Sequence, residues 1–186
     1  MDISSFQSYL LILFILLVII SIFVFRQFLR TRKEESSLVR FEQKGLDSIN
    51  SAEELYEFGS IQIKKRLYDQ ATKTFIKAIK NSQDEPNEAK AIIENALGFS
   101  YAAQKEFKKA IKHYDKAIAL LPEYVVAYNN LASAKQNLLE FEEAYNSYKK
   151  VLSIDPKNKT AIKKIKELEK RSNYSPYSES KSKGFN

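Results

Sequence analysis

The strongest constraint on how this chain folds is a spacing. Between Ala91 and Pro122, Leu97-Gly98 is followed by Tyr101, Ala110, Tyr114, Ala117 and Pro122. Thirty-four residues further on, the same places hold Leu131-Ala132, Ala144, Tyr148, Val151 and Pro156. Thirty-nine residues back stand Phe58-Gly59, Ala71, Phe75 and Ala78. Small residues recurring at such intervals are what closely packed antiparallel helices require where their backbones meet, with aromatic rings filling the seam beside them. The pattern predicts helix pairs near 52–65 and 68–81, 88–104 and 107–120, and 123–137 and 141–153. Pro122 and Pro156 are expected to close one pair and open the next helix at its first position, where a missing N–H costs nothing. Five additional residues separate the first pair from the second, and the polar segment Asp84–Glu88 is expected to absorb them as loop. One such pair cannot cover its own apolar face, so successive pairs must stack. The fold class is therefore an all-α helical-hairpin solenoid.

Those positions, in that order, resemble the tetratricopeptide repeat (TPR). Three repeats are read, at 52–85, 91–124 and 125–158, within a domain spanning 51–171. Ser51 before Glu53-Glu54 suits an N-cap with acids in the first turn. A last helix over 156–171, with Ala161, Ile162, Ile165 and Leu168 at helical spacing and Lys and Glu elsewhere, reads as the solenoid's cap. The Ser-rich segment 172–186 is expected to be a disordered tail.

Ahead of the repeats, Ile3 to Phe25 carries no charge. As a helix it is about 35 Å long, enough to cross a hydrocarbon core of about 30 Å. A cleaved secretory signal fits less well: no basic residue precedes the run, the run is too long, and no small-residue cleavage site follows. A retained transmembrane helix at 3–25 is the expectation. Arg26, Arg30, Arg32, Lys33, Arg40 and Lys44 follow it, whereas only Asp2 precedes it. Basic flanks stay on the side of synthesis, which puts the repeats there. Residues 26–50 are expected to form a basic juxtamembrane connector, with a short helix broken at Gly45.

Charge narrows the function classes. Residues 26–44 hold six basic and three acidic side chains, and 157–186 hold nine and three. The repeat body 45–156 has fifteen basic and sixteen acidic, a net of −1. A nucleic-acid track would need a basic stripe along the repeats, and nothing of the kind is written there. There is no Cys, which excludes disulfides, thiolate metal sites and thiol nucleophiles. The single His, His113, falls mid-helix on the expected outer surface and reads as a solvated structural residue. The glycines never cluster into a phosphate loop. No catalytic site, metal site, cofactor or small-molecule substrate is expected, and the chain reads as a non-enzyme.

Binding of protein clients is what remains. In such stacks the first helix of each pair lines the concave face through its second, fifth, ninth and twelfth positions. These are Glu53, Tyr56, Ser60 and Ile63 in the first repeat and Ile92, Asn95, Phe99 and Ala102 in the second. The third repeat supplies Val126, Asn129, Ser133 and Gln136. Asn95 and Asn129 are equivalent, and an amide that both donates and accepts can grip a peptide backbone whatever its side chains. The same amides could instead bond only to neighbouring helices. TPR proteins that clamp a C-terminal carboxylate carry Lys and Arg inside the groove, and these twelve positions hold none.

The whole plan is similar to one family: the membrane-anchored TPR proteins of cyanobacteria and algal plastids, encoded by conserved chloroplast reading frames, that assist photosystem I assembly. The resemblance rests on the N-terminal span and basic connector, then SAEELYEFGSIQIKKRLYDQA, NALGFSYAAQKEFKKAIKHYDKAIALLPEYVVAYNNLA and FEEAYNSYKKVLSIDP. It implies a single-pass protein of the plastid thylakoid with its repeats in the stroma. It also implies a non-enzymatic, chaperone-like role toward photosystem I subunits or assembly intermediates. An anchored TPR receptor of an import or secretion apparatus, or an adaptor working through the basic C-terminal end, would carry similar residues.

Overall fold

The structure is a computed structural model that describes residues 3–170. Among them there is no strand, and the chain divides into two units, one ending at Ser48 and one beginning at Ile49. The segment 172–186 lies outside the described residues.

The first unit is one long helix, α1 (Ile3–Lys44), followed by a single 3-10 turn at Leu46–Ser48. The apolar run and the basic stretch behind it are thus one continuous helix as far as Lys44. The reason is local: no Gly or Pro interrupts the stretch, and Arg, Lys, Glu and Leu propagate helices well. Gly45 ends it in the left-handed conformation at φ +74°, its N–H held 3.0 Å from the Phe41 carbonyl. From Ser8 to Leu29 the helix is apolar and wholly exposed, about 33 Å of it, and so by length and composition able to cross a bilayer.

The second unit contains the three helix pairs: α2 (Ala52–Lys64) with α3 (Tyr68–Asn81), α4 (Asn87–Ala103) with α5 (Phe107–Leu120), and α6 (Val125–Asn137) with α7 (Phe141–Ile154). A final helix, α8 (Lys159–Lys170), packs on α7. Ala71, Ala110 and Ala144 are fully buried, as are Ala78, Ala117 and Val151. Their aromatic companions Phe75, Tyr114 and Tyr148 are equally enclosed. The requirement for small residues is literal. A Cβ added at Gly59 would lie 2.6 Å from the Phe75 ring, and one at Gly98 would lie 2.7 Å from the Tyr114 ring and 3.1 Å from the Ala110 carbonyl.

Each pair turns in the same way. Leu67, Glu106 and Glu140 donate their N–H groups to the carbonyls of Gln62, Tyr101 and Lys135, at 2.8, 2.9 and 3.0 Å. The residues just before them, Arg66, Lys105 and Leu139, sit at φ 61°, 63° and 65°. This is the Schellman turn, whose left-handed position favours Gly, and here it is occupied three times by other residues.

Three sequence expectations are corrected. Pro122 and Pro156 do not start helices. Each is the second residue of a reverse turn, closed by Tyr124 N–H to the Leu121 carbonyl (3.0 Å) and by Asn158 N–H to the Asp155 carbonyl (3.1 Å). Proline's fixed φ suits that place as well as it suits a helix start. Consequently α6 begins at Val125. The cap helix begins at Lys159 rather than at 156, with Asn158 Oδ1 accepting from Ala161 N–H at 3.1 Å as its N-cap. The five additional residues are divided between loop and helix: Asp84–Pro86 stays outside helix, and α4 starts at Asn87. Since α2 and α4 end in register, the earlier start of α4 at Asn87 is an added N-terminal turn, Asn87–Lys90. Ser51 does cap α2, accepting from Glu54 N–H at 3.3 Å.

Candidate partner-binding face

Helices α2 and α4 line one cavity, and Asn95 on α4 is bonded to Asn130 on α6, so the first helices of successive pairs adjoin one another. The first helices therefore lie on the inner side of the stack, and the residues predicted for the groove lie on them. Among the described residues of the repeat unit, five large apolar side chains are exposed: Ile76, Ile92, Phe99, Val126 and Leu139. Three of the five, Ile92, Phe99 and Val126, occupy inner-face positions. Helices whose other apolar residues are buried or half-buried leave these uncovered at a face where burial must come from elsewhere.

Polar groups on this face are tied together across repeats. Asn95 Oδ1 accepts from Asn130 Nδ2 at 2.9 Å, and Asn95 Nδ2 lies 3.5 Å from the Tyr124 hydroxyl. Burial pushes the Tyr124 phenol above its ordinary pKa, and the neighbouring Tyr56 adds to this, while the bond from Asn95 pulls the other way. Tyr56 is half-buried, its ring tilted 47° against Phe75 at 6.0 Å. Asn129, equivalent to Asn95 by repeat position, has its Oδ1 enclosed with no hydrogen-bond partner among the described residues. Ser60 and Gln136 are half-buried and Ser133 is exposed. Among the described residues, Asn95 is thus engaged between helices and Asn129 Oδ1 is not. Tyr124 and Asn130 were not anticipated. Tyr124 lies in the junction between repeats and Asn130 one place beyond the expected inner position, so the repeat register alone does not select them.

At the first-repeat end, Ala52 and Tyr56 on α2 face Ala89, Ile92 and Ile93 on α4 around an open cavity of ≈ 210 Å³. Its only charged lining groups are Glu53 and Glu85.

The opposite surface corrects the expectation for His113. Its ring is largely buried, stacked on Tyr101 at 5.4 Å and 18°, with Nδ1 2.6 Å from Glu94 Oε2. Glu94 is itself buried and also lies 3.6 Å from Lys116 Nζ. Sequence reasoning placed His113 on a solvated surface because helix position was the only guide. The missing information was Glu94 on α4, which needs a partner once enclosed. No nucleophile joins the pair, and no group of three or more metal-binding side chains exists among the described residues. The cluster fastens α4 to α5.

Comparison with known proteins agrees with the fold. Residues 91–124 and 125–158 each match a family model of the tetratricopeptide repeat, and both ranges coincide with repeats read from the spacing. The chain is 34% identical over 160 residues to the Arabidopsis thaliana "Tetratricopeptide repeat domain-containing protein PYG7, chloroplastic", covering 86% of this chain and 53% of that protein. It therefore spans about half the length of that relative. It is 30% identical over 169 residues to "Uncharacterized protein ycf37" of Cyanophora paradoxa, covering 91% of this chain and 98% of that one. Among solved structures, the first TPR of Spaghetti (RPAP3) bound to HSP90 peptide SRMEEVD superposes with a TM-score of 0.58 at 26% identity, over 64% of this chain and 91% of that one. Sequence, fold and near full-length likeness agree: the chain belongs to the ycf37-type family of tetratricopeptide-repeat proteins, which are non-enzymatic protein-interaction scaffolds.

Proposed function

We propose that the protein is a membrane-tethered scaffold of the plastid thylakoid that holds client proteins on the inner face of its repeats during photosystem I assembly. The observation that carries the binding role is the exposure of Ile92, Phe99 and Val126 on that one face. The tether is supported by the exposed apolar segment Ser8–Leu29 and the basic residues that follow it. Those basic residues put the repeats on the side of synthesis, which in a plastid is the stroma. The photosystem role rests on the sequence plan and on likeness to chloroplast relatives. A tether keeps the groove within tens of ångströms of the bilayer, which raises its effective concentration toward membrane-bound clients.

A carboxylate-clamping role is not favoured, because the twelve inner positions contain no Lys or Arg. The exposed lysines of α8, Lys159, Lys163, Lys166 and Lys170, support a second reading, an electrostatic adaptor acting through the C-terminal end. One experiment separates the two. The full-length protein and a Phe99→Ser/Val126→Ser variant are used to capture proteins from solubilised thylakoids at low and high salt. Photosystem I subunits captured by the parent at both salt concentrations, and lost from the variant, support the groove. Capture that survives the variant and vanishes in high salt supports the adaptor. Absence of photosystem I subunits from the parent's captures overturns the assembly role.

A further inference from the structure

The added turn of α4 does more than lengthen a helix. Ala89, inside it, and Glu85, just ahead of it, line the cavity opposite α2 together with Ile92 and Ile93 of α4. The turn is anchored by Lys90, whose Nζ donates to the Gln83 carbonyl at 2.6 Å. The other side of the cavity is Ala52, Glu53 and Tyr56, and its floor is the buried Ile93 with the exposed Ile92. Without the insertion, α4 would begin near Ala91, and these walls would be missing.

We infer that this cavity is a specificity pocket for one apolar side chain of the client, and that the client residue beside it is basic. The inference rests on the groove reading above and names what that groove selects. A volume of ≈ 210 Å³ suits a single Leu-, Ile- or Phe-sized group, given that an apolar void of roughly 150 Å³ accepts benzene. The walls are alkyl and aromatic carbon, so a polar side chain would lose its water without finding a partner. Glu53 is exposed, Glu85 is half-exposed, and neither carboxylate is paired with a cation among the described residues. Two like charges among the lining of an otherwise apolar pocket repel an acidic neighbour and attract Lys or Arg, which sets specificity by both signs of interaction. The inner positions further along the stack are uncharged, so this end fixes which way a bound segment runs.

The test uses a random 12-residue peptide library displayed on phage, selected on the full-length protein in lipid nanodiscs. The enriched peptides are expected to share an aliphatic or aromatic residue adjacent to Lys or Arg. Synthetic copies should bind Glu53→Gln/Glu85→Gln about fivefold more weakly, as expected for two partly screened lining charges, and lose salt sensitivity. Ala89→Phe, which fills the cavity, should remove the apolar preference, its circular dichroism and melting serving as the check on folding. Enrichment without an apolar–basic pair overturns the pocket. So does a pair preference that is unchanged in both the folded Ala89→Phe variant and the surface Glu→Gln variant. If binding then still fails in Phe99→Ser/Val126→Ser, the groove reading stands and only the pocket falls. If it survives there too, both fall.

Discussion

Two surfaces of the same helices obey different rules. Where α2, α4 and α6 face their partners α3, α5 and α7, one solution is used three times: Gly59 against Phe75, Gly98 against Tyr114, Ala132 against Tyr148. On the inner face, equivalent positions diverge, so that Ser60, Phe99 and Ser133 occupy one place and Glu53, Ile92 and Val126 another. The seam has only the chain itself to satisfy, and interiors packed to crystal density tolerate few residue sizes. Among the described residues of the repeat unit, nothing covers Ile92, Phe99 and Val126 of the inner face in that way. Its residue choice is left to whatever binds there.

The largest expected effect tests this contrast by the same kind of change on both surfaces. Gly98→Leu drives a side chain into a ring that is 1% exposed and into the Ala110 backbone, and neither can swing aside. It should lower stability by about 3 kcal/mol, at the upper end of overpacking effects. Ser133→Leu, one inner position on exposed surface, should stay within about 0.5 kcal/mol. Thermal melts of the full-length protein followed by circular dichroism decide it. Equal losses from both substitutions would mean that the inner face is packed and not free.

The seam should also reveal itself in alkali. Burial, with the Glu167 carboxylate adding to it, pushes the Tyr148 phenol up to about 12 from an ordinary value near 10. The folded state therefore favours the neutral phenol. Its contribution is fully present below pH 10 and is lost as pH rises from 10 through 12. Tyr148→Phe cannot ionise, so its stability should fall less steeply across that window than the parent's. Parallel curves would show that the hydroxyl is not enclosed.

How much of this was legible follows from the same division. Seam residues repeat at fixed spacing and carry a steric demand, so Gly59, Ala71, Gly98, Ala110, Tyr114, Ala117, Ala132 and Ala144 announced the fold from sequence alone. Pro122 and Pro156 marked the right places with the wrong role, since a helix start and the second residue of a turn ask the same φ of proline. The polar composition of Asp84–Glu88 suggested loop, which holds for Asp84–Pro86, while α4 starts at Asn87. The Glu94–His113 pair, the Asn95–Asn130 bond and the cavity beside Tyr56 join residues far apart in sequence, the first two separated by 19 and 35 positions. No periodic signal encodes such pairings.

A smaller effect separates the two inner-face amides. Asn95→Ala leaves Asn130 without its acceptor and removes the donor near Tyr124, which should cost about 1 kcal/mol of stability. Asn129→Leu removes an enclosed oxygen that has no partner among the described residues, so stability should hold or rise slightly. If Asn129 grips a client backbone, that variant should lose about 1–3 kcal/mol of binding while its melting is unchanged. Unchanged binding in Asn129→Leu would remove the amide from the working surface and leave the exposed apolar residues as the whole of it.

The smallest effect concerns the turns, where geometry repeats three times and residue type does not. Arg66, Lys105 and Leu139 all hold a left-handed φ that costs an L-residue about 1–2 kcal/mol relative to Gly. Leu139 offers the cleanest test, because its side chain is 70% exposed and repays little of that cost through burial. Replacing it with Gly relieves the strain but restores about 0.5–1 kcal/mol of unfolded-chain entropy. The net should be a gain of about 0.5 kcal/mol, raising Tm by about 1–2 °C in a chain of this size. The Schellman bonds from Leu139 and Glu140 use backbone atoms alone, so they survive the substitution. A lower Tm would mean that Leu139 contributes a contact its exposure conceals. The turn would then belong with the residue-specific inner face rather than with the geometry-fixed seam.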